Sequence, residues 1–357
     1  MNSSVELLKR LIATPSVSRD ESATADIISV HLESRGITGR RLYNNVWAMQ
    51  PHHDPTKPTL MLNSHHDTVS PSASYTRDPF SPEITDGRLY GLGSNDAGGS
   101  VVSLIDLFCE FYSSALPFNL LLAITAEEEC MGEHGMRAFL PHLEELGLTP
   151  SMAIVGEPTG MQPAIAERGL VVLDCVSRGV RGHAARAEGV NAIYKAIADI
   201  EVIRNYRFER CSRVLGPVTM QVTMIGAGTQ HNVVPDECRW VVDVRTTDAY
   251  SNAETAEIIG RLVEAEVSPR STRVQASVID PAHPLVAAAS GAGLKPFVSP
   301  TTSDMALMHR IPSMKIGPGQ SSRSHSADEY IMLDELAGAA ETYREIISNL
   351  AANLKQH

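Results

Sequence analysis

Three short apolar runs, each closing on acids or a histidine, limit what this chain can fold into more than any other feature. They are "TLMLNSH" (residues 59–65), "FNLLLAITAEE" (118–128) and "MAIVGEP" (152–158). The runs are continuous rather than alternating. Unbroken apolar runs of this length suit strands buried on both faces, so they predict a parallel sheet covered by helices. "DAGGSVVSLIDLFCEFYSSA" reads as a helix between the first two strands, opened by Asp96 and small residues. Val5–Ile12 and Ala23–Leu32 have helical spacing, with Gly36 as a stop.

The pattern changes near Gly169. "GLVVLDCVSRGV" reads as a strand and "NAIYKAIADIEVIRNY" as a helix. "GPVTMQVTMIGA" and "CRWVVDVRTT" alternate as half-buried strands. "NAETAEIIGRLVEAEV" reads as a helix and "TRVQASVID" as a last strand. The order β-α-β-β-α-β is that of a ferredoxin-like sandwich. Beyond 281 the chain returns to strand–loop–helix patterns that can complete the first sheet. The expected organisation is therefore an α/β domain from 1–168 and 281–357, with a smaller α+β domain, 169–280, inserted into it. Two domains also suit 357 residues at about 150 residues per domain.

Charge and cysteine usage exclude several classes. Thirty Lys and Arg against 42 Asp and Glu leave a net charge of −12, unsuited to nucleic acid or an anionic membrane. The five cysteines, Cys109, Cys130, Cys175, Cys211 and Cys238, are scattered and never form a CxxC pair. This argues against a disulfide framework or a thiolate zinc site and for a reducing compartment. The start, "MNSSVELLKRLIATPSVS", has no signal-peptide core, and no run reaches the ~20 apolar residues of a membrane span. A cytoplasmic protein is expected.

In an open parallel sheet, ligands bind beyond the carboxyl ends of the strands. His65, His66 and Asp67 follow the first run; Glu127, Glu128 and Glu129 follow the second; Glu157 follows the third. Asp96 lies before a helix in "GLGSNDAGG", and His325 lies in "GPGQSSRSHSADEY". Singly, each has a plain structural reading: Glu157 before Pro158 as a turn, Asp96 as a helix cap, His325 as a surface histidine. Together they gather at one rim. So many carboxylates cannot share a small site without a cation. Imidazole and carboxylate without thiolate fit zinc or a similar divalent ion. The set suits two metals ~3.5–4 Å apart with one bridging carboxylate. In extended chain, residues two apart share a face. His65 and Asp67 should therefore point into the rim together, with His66 turned away as a bystander. His52 and His53, in "QPHHDPTKP", read as solvent-exposed.

These motifs, in this order, resemble the co-catalytic zinc metallopeptidases that include acetylornithine deacetylase, succinyl-diaminopimelate desuccinylase, aminoacylase and glutamate carboxypeptidase. "SHHDTV", "GLGSNDAGG", "TAEEECMG", "IVGEPTG", "QHNVVPDECRWVVDVR", "PTTSDMAL" and "SHSADEYI" carry the likeness over nearly the whole chain. The resemblance implies a zinc-binding α/β domain with an inserted ferredoxin-like lid and dimerisation domain. It implies Asp96 as the bridging ligand, His65 and Glu157 completing one metal site, and Glu129 and His325 completing the other. It makes Asp67 the carboxylate that orients His65, Glu128 the general base and His183 a lid histidine that stabilises the oxyanion, often across a dimer interface. Asn232, Arg245 and Gly319 become substrate-side positions, Arg245 as the grip on a substrate carboxylate and Gly319 as a close approach of backbone.

The chain departs from the family pattern around Asp96, where an Arg before it and a Lys after it are absent. The resemblance therefore implies a two-zinc amidohydrolase (cobalt or another divalent ion could substitute), acting as a homodimer on a small N-acyl amino acid. N-acetylornithine, and with it arginine biosynthesis, is the expected assignment. Succinyl-diaminopimelate desuccinylase, another aminoacylase, a dipeptidase, and a metal-free binding or scaffold homologue are the alternatives.

Overall fold

A computed structural model describes residues 3–186 and 188–355. The chain divides into two compact units. The first comprises Met1–Ile165, Ile279–Phe297 and Ser303–His357; the second comprises Ala166–Val278 and Val298–Thr302.

The centre of the first unit is a parallel array in the order Asn119–Thr125, Thr59–His65, Met152–Val155, Ser313–Lys315. Antiparallel strands flank it: Asn45–Met49 beside Asn119–Thr125, and Ala164–Glu167 beside Ser313–Lys315. All seven residues of both Thr59–His65 and Asn119–Thr125 are buried. The reason lies in the alternation of a strand. Leu60, Leu62, Leu120, Leu122 and Ile124 pack on one face with Val101, Phe108, Tyr343 and Ile347. Met61, Leu121, Ala123, Ala153 and Val155 pack on the other with Trp47, Phe139 and Leu143. Both faces are covered, so both parities of each strand are apolar. The covering helices on the first face include Gly99–Phe111 and Leu333–Leu354, and Met136–Glu145 covers the second. No helix among the described residues is long and apolar enough to cross a membrane.

The second unit holds a four-stranded antiparallel sheet ordered Thr219–Ala227, Glu237–Thr246, Gly169–Arg178, Glu266–Pro269. Helices Ala192–Asn205 and Asn252–Leu262 complete the β-α-β-β-α-β order. Leu173, Trp240, Val242, Ile203 and Ile259 are in its core. The last strand is not the one the sequence pattern suggests. The helix stops at Leu262, because Val263 is already extended (φ −120°, ψ 157°), and Glu266–Pro269 pairs with Gly169–Arg178. A strand closing on Pro269 is tolerated there because it lies at the sheet edge. Within "TRVQASVID", only Ser277 and Val278 are strand, paired with Glu167 and Ala166.

Candidate metal centre

Three parallel strands deliver their carboxyl ends to one place. His65 ends Thr59–His65, the acids Glu127–Glu129 follow Asn119–Thr125, and Glu157 follows Met152–Val155. His65 is 2% exposed. Its Nε2 lies 3.3 Å from Asp96 Oδ1, 3.7 Å from Glu157 Oε1 and 3.9 Å from Glu128 Oε2. His325 Nε2 is 3.0 Å from both Glu129 oxygens and 3.8 Å from Asp96 Oδ2. Asp96 thus turns one oxygen to each histidine. It caps no helix: its backbone is non-helical (φ −121°, ψ 99°) ahead of Gly99–Phe111. Ligand atoms of His65, Asp96 and Glu129 lie within 4.8 Å of one another, as do those of His65, Glu128 and Glu157.

The three consecutive glutamates separate by backbone geometry. Glu127 adopts a left-handed conformation (φ 56°), and its carboxylate turns to His134, 3.3 Å from Nδ1, while accepting the His134 N–H at 3.1 Å. Glu128 and Glu129 remain at the site. Asp67 sets both: its fully buried carboxylate accepts the N–H of Glu128 (3.0 Å) and of Glu129 (3.1 Å), and the Ser18 hydroxyl (2.7 Å). His65 Nδ1 bonds the Asp67 carbonyl at 3.0 Å, with the carboxylate 3.4 Å away. Asp67 therefore orients His65 chiefly through its main chain. Its side chain holds the acid pair. His66 points elsewhere, buried, with Nδ1 2.9 Å from Thr24 Oγ1 and Nε2 3.0 Å from the Asn44 carbonyl.

The charges do not balance without a cation. Burial pushes Glu128 well above the ordinary carboxylate range; His65 opposes this, and Glu157, Asp304 and Glu129 add to it. Burial likewise raises Glu157 to about 8, with His65 opposing and Asp96 adding. Burial works against a charged His65, yet Glu128, Asp67, Asp96 and Glu157 hold its imidazole well above its usual value. One buried imidazolium cannot neutralise this many acids, whereas divalent cations can. The imidazole and carboxylate set fits zinc-like ions.

A pH dependence follows for protein stripped with chelator. An acid whose folded pKa is raised binds more protons folded than unfolded, so stability falls as pH climbs toward that raised value. Glu157, pushed by burial to about 8, acts in this sense, and so does His65. His66, lowered by burial to about 4, acts oppositely, but only below about 6.5. The melting temperature of the stripped protein should therefore fall between about pH 6.5 and 8. Calorimetry at stepped pH checks this, and a rising midpoint across that window would refute the charge assignment.

Several residues were not singled out from sequence. Glu329 accepts three backbone N–H groups of the Asp96 loop. Asp304, in "PTTSDMAL", is 2% exposed and takes the Thr125 hydroxyl at 2.8 Å, beneath the end of the strand that leads to the acids. Lys315 is buried and lowers the proton affinity of Glu157. Each lies in or beside a quoted motif, but spacing alone gives no sign of what such residues touch.

The remaining candidates divide. His183 and Asn232 lie together on a two-strand ribbon, Gly182–His183 against Val233–Val234, with the Ala184 N–H bonded to the Asn232 carbonyl. Arg245 lies at the other end of the sheet. It pairs with Thr219 and Leu170, whereas Cys238, next to the ribbon's connection, pairs with Ala227 and Ser177. Seven residues at ~3.3 Å each separate the two ends by roughly 23 Å. The Arg245 fork is also engaged, Nε to Asp243 Oδ1 at 2.8 Å and Nη2 to Oδ2 at 3.1 Å. Gly319 (φ +86°) has a local reason to be glycine: a Cβ there would stand 2.3 Å from Asn95 Oδ1.

The description of peptidase family M20/M25/M40 matches residues 61–349. The chain belongs to that family. It is accordingly an enzyme, a hydrolase of the amidohydrolase and peptidase type. A succinyl-diaminopimelate desuccinylase of Rhizorhabdus wittichii is 28% identical over 378 residues, covering 98% of each chain. A protein of the same name from Cereibacter sphaeroides is 30% identical over 263 residues, covering 70% of this chain and 69% of its own. Among solved structures, an M20 metallo-carboxypeptidase of Sulfolobus solfataricus superposes with TM-score 0.74 at 17% identity, covering 99% of this chain and all of its own. A dinuclear metal-binding M20 peptidase of Bacillus subtilis does so with TM-score 0.73 at 18% identity, covering 99% and 98%. These structures agree with the α/β fold. The family is the one that the motifs resemble. Both of these relatives carry the name of the desuccinylase alternative rather than of acetylornithine deacetylase.

Proposed function

We propose that the protein hydrolyses the amide bond of an N-acyl amino acid, with an N-succinyl diamino acid as the first substrate to try and N-acetylornithine as the second. The observation that carries the reading is Asp96 between His65 and His325, with Glu128 and Glu157 at His65 and Glu129 at His325. His65, Glu157 and Asp96 would hold one divalent cation, and Glu129, His325 and Asp96 the other, zinc being the ion the donors suit best. Bound there, such ions polarise an amide carbonyl and lower the pKa of water.

The chain's own groups do the rest. Glu128 accepts the proton of the attacking water and delivers it to the leaving amine. Asp67 keeps Glu128 and Glu129 in register through their N–H groups. His183 donates to the developing oxyanion, beside Asn232. Arg245, with Nε and Nη2 held by Asp243, would offer its remaining Nη1 to a substrate carboxylate.

His183 with Asn232 and Arg245 lie too far apart in one copy to serve one small substrate. This supports a homodimer in which the ribbon of one copy serves the site of the other. Mixing inactive His183→Ala with inactive Glu128→Ala protein should restore part of the activity by subunit exchange. No recovery from a mixture shown to contain hybrid dimers would sink the shared site. For the substrate, the decisive experiment is released-amine turnover of N-succinyl- and N-acetyl-ornithine beside N-succinyl-diaminopimelate. An N-succinyl substrate is expected to show the highest kcat/KM. Turnover of dipeptides alone would overturn the reading.

A further inference from the structure

We propose that Glu329 is a positioning residue that locks the bridging carboxylate Asp96 to the segment carrying His325. The inference rests on the two-metal reading above. Glu329 is 2% exposed. Its Oε2 accepts the Gly93 N–H at 3.1 Å, and its Oε1 accepts those of Asn95 and Asp96 at 2.8 and 2.9 Å. Its own carbonyl takes the Gly91 N–H at 2.9 Å. Asn95 makes the reverse stitch. Its Nδ2 donates to the Gln320 carbonyl at 3.1 Å, and its Oδ1 accepts the Gln320 N–H at 2.9 Å. The loop 91–98 and the segment 317–329 are thus tied by two side chains reaching in opposite directions.

The chemistry of the clamp is specific. Donors reach both oxygens of Glu329, so only a group that accepts at both ends satisfies them. A glutamine would turn its NH₂ toward an N–H and leave that donor buried and unpaired. Among the described residues, Asp96 is the candidate ligand with a carboxylate oxygen within 4 Å of each histidine, 3.3 Å from His65 and 3.8 Å from His325. Holding its backbone while also fixing the segment with His325 couples the two sites. Loosening the clamp should weaken both ions, whereas loss of His325 weakens one.

The test measures zinc binding to the full chain by equilibrium dialysis across buffered zinc concentrations, alongside melting of the metal-free protein. Glu329→Gln is expected to weaken zinc at both sites by about 10–100-fold, the usual effect of losing a partner behind a ligand. The metal-free melting temperature should fall as well, because a buried donor is left unpaired, so zinc binding is compared at a temperature where both metal-free chains are folded. His325→Ala should weaken one site only. Unchanged zinc affinity in Glu329→Gln, or a loss confined to one ion, overturns the proposal. So does a lowered metal-free melting temperature with zinc affinity intact. If Glu329→Gln does not fold, Glu329→Asp, which keeps the charge but falls a methylene short, must show the same double loss. Wild-type affinity in that variant overturns the proposal equally. A parent chain that binds fewer than two zinc ions would instead remove the two-metal reading itself.

Discussion

Glu128→Gln is expected to lower turnover by about 10²–10⁴-fold while both metals stay bound. The side chain is nearly buried, and its Oε2 is 3.9 Å from His65 Nε2. Its neighbours are committed elsewhere, Glu129 to His325 and Glu127 to His134. Glu128 is therefore the acid left to move a proton. Burial, with Glu157, Asp304 and Glu129, raises its proton affinity against the pull of His65; cations held beside it would lower it again, toward the carboxylate that a base must be. Glutamine keeps the volume and loses the proton site. Because Glu128 also lies within ligand distance of His65 and Glu157, metal content must be measured with the kinetics. Near-normal turnover with full metal would end its role as base. Loss of metal along with turnover would make it a ligand.

His65→Ala and His66→Ala should fail in opposite ways. His65 stands among Asp96, Glu128 and Glu157, so its removal should empty the site and leave a folded chain. His66 is 6% exposed and bonded to Thr24 and the Asn44 carbonyl. Its removal leaves a cavity and takes the partner from a part-buried carbonyl, costing roughly 2–4 kcal/mol, with metal retained. Elemental analysis and urea melts of the two variants decide this. If His66→Ala lost the metal and His65→Ala kept it, the orientation of the strand end would be wrong.

Much of this was readable in the chain because the relevant signals are short and periodic. Unbroken apolar runs such as "TLMLN" follow from a sheet packed on both faces by Leu60 and Leu62 on one side and Met61 on the other. The two-residue period of extended chain separates His65 from His66. What was hidden depends on contacts remote in sequence. Nothing in "ADEY" says that Glu329 closes on the N–H groups of residues 93–96. Nothing in "HHD" says that the Asp67 side chain serves Glu128 and Glu129 more closely than His65. The strand Glu266–Pro269 was hidden for another reason: "EAEV" continues a helical pattern, and its pairing with Gly169–Arg178 prevails over that local preference.

The discontinuous first unit also sets an order of assembly during synthesis. Residues 166–278 are nearly sufficient for the second unit, so it can close while the first is incomplete. The strand Met152–Val155 keeps an open edge until Ser313–Lys315 emerges to pair with it, and such edges invite mispairing while they wait. His325 and Glu329 arrive later still. A chain cut short before them has most of its core and each proposed metal ligand but His325, so the site that His325 completes could not form as in the finished protein.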